Sequence, residues 1–407
     1  MRRFFSLFFL LLPSFLPAAT LWLAGVDTEG NPFPYGSGTF YYADTYQPAL
    51  DLPPQIVVSN QGGVAFLAAD AEPSETLRYL GSFFVQCAGI ATPAALQIRA
   101  GCEIFYNIQM LHTGINLHGT TDLTQFVLLA NDYLSPSSYK SKLFALQREG
   151  TTIREHNFWS AAEPSPIAWP SWRSVYASAA QRLLLYTPGS GEVMKFDRLE
   201  SGWSEATPLT ANNTDLPAAW ASIADRRVAF SADGSTVYFS TSSDLKLSDD
   251  PLEGTGYSLY CFDLSSGVIS FLASIGTAIA QPSCSADGEI AVIQCTRLTL
   301  CDFADNSQHS QIVKIKKNPS GNYDYELLSL DENNLPAGTD CYNPAISADG
   351  RFVTFSSSAK LTATETGGIE QIYRYDSASK HLELISCSNG VAASKQCYRP
   401  AISANGR

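Results

Sequence analysis

Three carboxylates in one loop are the first residues of this sequence whose chemistry suggests a ligand. Asp249, Asp250 and Glu253 lie in the acidic segment DLKLSDDPLE at residues 244–253. Calcium binds several carboxylate and carbonyl oxygens at once, so the loop is a candidate for a structural Ca²⁺ site. The spacing is not that of an EF-hand, and a solvated acidic loop is the alternative interpretation. We expect no other cofactor.

Two histidines near an aspartate form a second candidate group. His112, His118 and Asp122 are close enough in sequence to share a metal site, because imidazole and carboxylate are common metal ligands. Their spacing matches no recognised metal motif, so ordinary loop histidines are the alternative. The sequence has no Cys-x-x-Cys segment of the kind that holds zinc.

Motifs for nucleophilic catalysis are absent from the sequence. No Gly-x-Ser-x-Gly elbow occurs, and Gly-Ser-Gly at residues 36–38 and 189–191 is typical of a short turn. No phosphate-binding glycine loop occurs either. We therefore assign no catalytic residue, and we expect a binding protein more than an enzyme.

A cluster of tryptophans is the candidate binding surface. Trp159, Trp169 and Trp172 lie in a short segment that also contains three prolines. An exposed tryptophan on a loop stacks on a sugar or anchors a protein partner. Burial of these rings between packed sheets is the alternative.

Nine cysteines fit a protein of an oxidising compartment. Spacing suggests three disulfides, which are Cys87–Cys102, Cys295–Cys301 and Cys387–Cys397. Connectivity does not follow from spacing, and an odd number leaves at least one thiol over. The alternative is that some of these cysteines are small buried residues.

The first 19 residues have the layout of a secretory signal peptide. Arg2 and Arg3 precede an almost wholly apolar run at residues 4–16, and Pro17, Ala18 and Ala19 offer a cleavage site. The run is shorter than the roughly 20 residues that span a bilayer, and a retained anchor is the alternative. We expect a secreted or periplasmic protein that does not span the membrane after cleavage. The net charge of −13 disfavours a nucleic-acid partner.

One short pattern recurs along the chain and predicts the fold. Ser-Ala-Asp-Gly at residues 347–350 has close copies at residues 231–234 and 285–288, and Ser-Ala-Asn-Gly follows at residues 403–406. Asp-Gly favours a tight turn, and the apolar segment after each turn favours a strand. Weaker copies lie at residues 178–186, with Gln181 in the position of Gly350, at residues 121–129 and at residues 59–66.

Each repeat contains about four strands, such as PAIS, FVTFS, IYRYD and LELIS in residues 344–386. Four-stranded antiparallel units at a near-fixed period predict a β-propeller, in which neighbouring blades bury both faces of each sheet. The first strand of each blade lies nearest the axis, where small residues such as Ala345, Ser347 and Ala348 fit. The expected class is all-β, with about six to seven blades.

These motifs resemble the TolB-type β-propeller repeat of secreted and periplasmic bacterial proteins. The resemblance rests on Pro-Ala-Ile-Ser-Ala-Asp-Gly at residues 344–350 and Ile-Tyr-Arg-Tyr-Asp at residues 372–376, and it is good over residues 225–407. It implies the fold and leaves the function open, because such blades occur in binding proteins, in serine peptidases and in carbohydrate-active enzymes.

The predicted organisation has three parts. Residues 1–19 form the signal peptide, residues 20–54 carry strands that would close the ring, and residues 55–407 form the repeats. The sequence stops inside a turn, so we expect the last blade to be incomplete, with more blades or another domain beyond residue 407.

The leading functional hypothesis is a non-catalytic propeller that binds a protein or a cell-envelope ligand. By analogy, TolB-like propellers dock partners on the loop-bearing faces of the disc. One alternative is the propeller domain of a serine peptidase whose catalytic domain lies elsewhere. Another is a carbohydrate-active propeller with its site in the central channel.

Overall fold

The computed structural model describes most of the repeat region. The described residues are 56–58, 64–69, 78–86, 96–98, 103–105, 116–135, 138–149, 152–162, 173–186, 192–209, 228–242, 245, 247, 256–276, 282–303, 309–388 and 390–406. The predicted signal peptide, the predicted ring-closing segment at residues 20–54, and Cys87 and Cys102 lie outside them.

The first three sheets occupy the N-terminal half of the described chain. Sheet 1 contains β1 (Ile56–Val58), β2 (Val64–Ala69), β3 (Arg78–Gln86), β4 (Leu96–Ile98) and β5 (Glu103–Phe105). Sheet 2 contains β6 (Asn116–Gly119), β7 (Gln125–Ser135), β8 (Ser138–Glu149) and β9 (Thr152–Ala162). Sheet 3 contains β10 (Arg173–Ala177), β11 (Arg182–Tyr186), β12 (Val193–Leu199), β13 (Gly202–Trp203) and β14 (Thr207–Pro208).

The next three sheets follow the sequence repeat most closely. Sheet 4 contains β15 (Val228–Phe230), β16 (Thr236–Thr241), β17 (Tyr257–Asp263) and β18 (Val268–Gly276). Sheet 5 contains β19 (Ser283–Cys284), β20 (Ile290–Cys295), the short 3₁₀ helix η1 (Leu298–Cys301), β21 (Gln311–Lys317) and β22 (Tyr323–Leu327). Sheet 6 contains β23 (Cys341–Ile346), β24 (Phe352–Ser357), β25 (Gln371–Asp376) and β26 (His381–Leu384), and a hairpin of β27 (Cys387–Ser388) and β28 (Val391–Ala392) comes after it.

Sheets 2, 4, 5 and 6 are four-stranded antiparallel meanders in chain order, and sheets 1 and 3 each have a fifth strand that pairs with their third strand. In sheet 6, β24 pairs with β23 and β25, and β26 pairs with β25. The described residues contain no α-helix, and so no helix in them is long and apolar enough to cross a membrane. Repeated four-stranded meanders packed face to face are the architecture of a β-propeller, which confirms the predicted fold class.

The core lies between neighbouring sheets, and successive residues of one strand serve different interfaces. In β11, Leu183 and Leu185 pack toward sheet 2, whereas Leu184 and Tyr186 pack toward sheet 4. All four side chains are buried. A strand that is buried on both faces needs no alternation of polarity, which explains the apolar run in β11.

The repeated turn between the first and second strands has one hydrogen-bonding pattern. In sheet 6, Ser347 Oγ donates to Asp349 Oδ1 at 2.6 Å, and the N–H of Phe352 donates to Ser347 Oγ at 2.9 Å. The N–H of Gly350 donates to the carbonyl oxygen of Ser347 at 2.9 Å. The serine and aspartate side chains therefore hold the turn in its folded conformation.

Glycine is required in this turn for two reasons. Gly288 has a φ of +69°, a left-handed conformation that a side chain disfavours. In addition, a Cβ at this position would lie 2.8 Å from the Cβ of Thr236 in the preceding sheet. The sequence repeat thus keeps glycine where two blades approach each other closely.

Candidate functional site

The turns of successive blades bond to one another around the axis of the propeller. The N–H of Ala180 in sheet 3 donates to the carbonyl oxygen of Ala232 at 2.9 Å. The same kind of bond joins the later turns, from Asp233 to Ala286, from Ala286 to Ala348 and from Ala348 to Ala404. These backbone hydrogen bonds link each turn to the next. The inner rim of the propeller is therefore held by bonds between backbone atoms rather than by flexible side chains.

A cavity of about 470 Å³ lies inside this rim. It is lined from the first strands and turns of sheets 2 to 6 and from the turn at residues 401–404. The lining combines larger side chains with alanines, for example Tyr176, Phe230 and Ile346 with Ala232 and Ala348. The predicted placement of small residues near the axis is confirmed at Ala348. A concave site of this size is within the range of ligand-binding pockets.

The lining of the axial cavity carries no Asp, Glu, Lys or Arg side chain among the described residues. Its only ionisable base is His118, whose Nε2 lies 3.0 Å from Ser174 Oγ. By accessible area His118 is only partly buried, but the surrounding protein lowers its pKa from 6.5 to about 4. The imidazole is therefore neutral near pH 7, and the cavity is uncharged.

The chain is similar to solved structures that include β-propeller domains. No family model matches the sequence, and no curated protein matches it. TolB from Acinetobacter baumannii is 13% identical, with a TM-score of 0.41 over 84% of this chain and 71% of that chain. The β-propeller domain of the Trilobed protease from Pyrococcus furiosus is 9% identical, with a TM-score of 0.48 over 82% and 84%. Prolyl oligopeptidase B from Galerina marginata is 13% identical, with a TM-score of 0.44 over 83% and 42%.

The chain has the β-propeller fold. The statement rests on the repeated turn and on the bonds between turns, and it concerns the fold alone, because the same fold serves many functions.

Of the three tryptophans in the candidate binding surface, the structure describes Trp159. Trp159 lies on β9 rather than on a loop, and it is half-buried. Its ring meets the buried ring of Phe196 edge to face, with centroids 6.3 Å apart. Trp159 therefore fits the alternative of packing between sheets. Trp169 and Trp172 lie outside the described residues.

Of the candidate metal ligands, the structure describes His118 and Asp122. Asp249, Asp250, Glu253 and His112 lie outside the described residues, so the Ca²⁺ site stays a prediction. Asp122 accepts hydrogen bonds from the hydroxyls of Thr120 and Thr124, at 2.5 Å and 2.8 Å. Within the described ranges, no three His, Cys, Asp or Glu side chains form a group that would hold a metal ion.

The cysteines that the structure describes are free thiols. Cys295 is buried, and its Sγ donates to the carbonyl oxygens of Ile275 and Arg297. Cys387 Sγ donates to the carbonyl of Leu384, and Cys397 Sγ to that of Lys395. The structure thus does not show the pairs Cys295–Cys301 and Cys387–Cys397, and their thiols bond to backbone carbonyls instead. Disulfide formation stays a prediction.

Sequence reasoning missed most residues of the axial cavity. The residue before each repeated serine lines it, namely Phe230, Cys284, Ile346 and Ile402. The alanine after each serine lines it too. The repeat contains the information needed to find these residues, because both positions are next to the serine in the sequence. The residue types before the serine vary, however, and therefore form no recognisable motif.

Proposed function

We propose that this protein is a secreted or periplasmic, non-catalytic scaffold that binds an uncharged segment of a protein partner in the axial cavity. The observation that carries the proposal is the uncharged lining of that cavity. The predicted signal peptide supports the location, and the partner is a protein of the same compartment or of the cell envelope.

The lining favours apolar and neutral groups over ions. An ion that enters an uncharged cavity gives up its hydration without gaining an opposite charge, which costs several kcal/mol or more. An apolar side chain gains about 25 cal/mol for each Å² of surface that it buries. Phe230, Ile346 and Ile402 offer such surface, and the hydroxyls of Ser178 and Ser283 offer hydrogen bonds.

The rim of the cavity is preorganised for binding. Ser231, Ser285, Ser347 and Ser403 are buried, and each bonds through its hydroxyl to the Asp or Asn of its own turn. The turns are bonded to one another as well. A partner therefore does not need to order the rim, and the entropic cost of association is lower than for a flexible loop.

A variant that fills the cavity tests this proposal. Ala401 lines the cavity and is exposed, so Ala401→Trp blocks the site without crowding the core. Ser394 is exposed and does not line the cavity, so Ser394→Trp adds the same ring elsewhere. Wild type and Ser394→Trp should retain the same envelope protein in a quantitative pull-down, and Ala401→Trp should lose it. Equal retention by Ala401→Trp would place binding on another surface.

The tryptophan segment supplies a second surface for the same function. Deletion of residues 163–172 removes Trp169 and Trp172 and leaves the described cavity lining intact. If the partner is lost with this deletion but retained by Ala401→Trp, the predicted tryptophan loop binds it and the cavity does not.

A further inference from the structure

A second concave site lies between sheets 2 and 3 and shares Tyr176 with the axial cavity. It is a groove of about 350 Å³, and the residues that matter for its chemistry are Gln125, Gln147, Arg154, His156, Arg198 and Trp203. The chain has a net charge of −13, yet this groove is lined by two arginines and by one carboxylate, Glu200. The groove therefore carries positive charge, although the chain as a whole is acidic.

Sheet 2 places its polar groups in one row along the groove. Gln125 on β7 pairs with Gln147 on β8, and Gln147 pairs with Arg154 on β9. Directly paired residues of antiparallel strands project from the same face of the sheet. The next row contains Ala145 and His156. Because the side chain of Ala145 is small, it leaves space between the two rows.

Arg198 on sheet 3 is the cation of the groove that has no counter-charge. It is half-buried, and it forms no ion pair with another described residue, Glu200 included. Arg154, in contrast, is exposed and binds Glu149 through Nε at 3.0 Å. Tyr176 lines the same groove, and burial raises the pKa of its hydroxyl to about 12.

The other groups of the groove are neutral. The side-chain amides of Gln125 and Gln147 have no hydrogen-bond partner among the described residues. Each amide offers both a donor and an acceptor, which is the hydrogen-bonding complement of a peptide group. Trp203 stacks on Phe158 with centroids 4.9 Å apart and supplies an apolar wall.

We propose that this groove binds the C-terminal residue of a peptide. Arg198 pairs with the terminal carboxylate, Gln125 and Gln147 bind the last peptide group, and the terminal side chain lies against Trp203. A planar guanidinium matches both oxygens of a carboxylate. The volume is at the small end of ligand sites, which suits a chain end rather than a long segment. Tyr176 lines both this groove and the axial cavity, but Arg198, Gln125 and Gln147 line the groove alone, so loss of peptide binding and loss of the proposed function are separately measurable.

Binding of a defined peptide by the full chain tests the inference. The probe is an acetylated tripeptide, Ala-Ala-Phe, with a free carboxylate, and its matched control is the same peptide amidated at the C-terminus. Calorimetry should show that the free carboxylate binds tighter by about tenfold or more, as expected for a charge-assisted pair. Equal affinity of the two peptides, or no binding of either, would overturn the proposal.

Two variants locate the site. Arg198→Gln should lower the affinity for the free peptide by about tenfold or more. Arg351→Gln removes the same charge on sheet 6, where Arg351 pairs with Asp376, and it should leave the affinity unchanged. Ala145→Leu keeps every charge, fills the space between the two rows and should also abolish binding. Equal unfolding midpoints of Ala145→Leu and wild type would exclude a folding defect, and peptide binding by this variant would contradict the assignment.

Competition by acetate tests whether the groove recognises a peptide end or any small carboxylate. Acetate that displaces the peptide at the same millimolar concentration as acetylated phenylalanine would mean that the groove binds any small carboxylate. That result would overturn the assignment to a peptide end, whereas weaker competition by acetate would support it.

Discussion

The guanidinium of Arg374 donates a hydrogen bond of 2.9 Å from Nη1 to the carbonyl oxygen of Gly406. Arg374 lies on the third strand of sheet 6, and Gly406 lies in the next repeated turn. The glycine carbonyl of each Ser-Ala-Asp-Gly turn also accepts a hydrogen bond from a side chain of the preceding sheet: Arg182 at Gly234, Tyr238 at Gly288 and Lys314 at Gly350. The donor residues differ in type, but in each case a side chain of one blade forms a hydrogen bond with the turn of the blade that follows.

The serine of the turn should stabilise the propeller. Ser347 is fully buried, and its Oγ bonds to Asp349 and to the N–H of Phe352. Ser347→Ala leaves that N–H without its acceptor, so we expect a loss of about 1–3 kcal/mol in the free energy of unfolding. Urea unfolding measures it. Ser394→Ala, at an exposed position, should change the free energy by less than about 0.5 kcal/mol, and equal effects would contradict the role of the turn.

Two glycines with the same backbone conformation distinguish the energetic cost of backbone strain from the cost of a steric clash. Gly288 and Gly367 have φ values of +69° and +65°, but only Gly288 has a neighbour in the way of a Cβ. Gly367→Ala should cost about 1–2 kcal/mol for the left-handed conformation. Gly288→Ala should cost a further 1–3 kcal/mol or so, because Thr236 must move. Thermal or urea unfolding of both variants checks the difference, and an equal loss would mean that the blades do not meet at this glycine.

Acid should weaken the repeated turn. Burial alone would raise the pKa of Asp349, but hydrogen bonds from the Ser347 hydroxyl and the Arg351 N–H outweigh it, and the pKa lies below its usual 3.8. As the pH falls, Asp349 is therefore protonated in the unfolded chain before it is protonated in the folded protein. The resulting stability is present above pH 3.8 and is lost as the pH falls below that value through the lowered pKa.

Asparagine isolates this contribution, because the turn at Ser403 uses Asn405 in the same position, with Ser403 Oγ 2.7 Å from Asn405 Oδ1. Asp349→Asn keeps the acceptor and removes the titration. The difference in urea midpoint between about pH 7 and about pH 3 should shrink in this variant. A difference as large as that of wild type would show that Asp349 does not contribute.

His118 should stay neutral well below the usual pH of histidine titration. Its pKa of about 4 predicts an NMR titration midpoint near that value. Since the unfolded histidine titrates near 6.5, the stability linked to neutral His118 is present above pH 6.5 and is lost as the pH falls toward 4. His118→Gln should remove this component. A midpoint near 6.5 would mean that the cavity wall is open to bulk water.

The repeat predicted the turns well because the turn depends on local chemistry. Gln181 was matched to Gly350 by sequence, and it adopts a φ of +48° in the same turn position. Leu123 adopts a φ of +55° in the weak copy of sheet 2, where Asp122 accepts the Thr120 hydroxyl as Asp349 accepts Ser347. In sheet 2 the hydrogen bonds of the turn thus compensate for the absence of glycine.

The groove between sheets 2 and 3 was not predictable from the repeat. It brings Gln125 and Gln147 of one blade close to Arg198 of the next, and none of these three residues belongs to the repeated turn from which the fold is predicted. The partly buried Trp159 was also uncertain, because sequence alone does not distinguish a ring between sheets from a ring on a loop.

A site-specific cross-link tests the axial cavity most directly. Thr121 is exposed and lines the cavity, so a photoreactive benzoylphenylalanine at this position reports on what enters it. The same group at Val391, which is 69% exposed and does not line the cavity, is the control. We predict a covalent adduct with one envelope protein from the position of Thr121, lost when Ala401→Trp fills the cavity, and none from Val391. Equal adducts from both positions, or an adduct that survives Ala401→Trp, would contradict binding in the axial cavity.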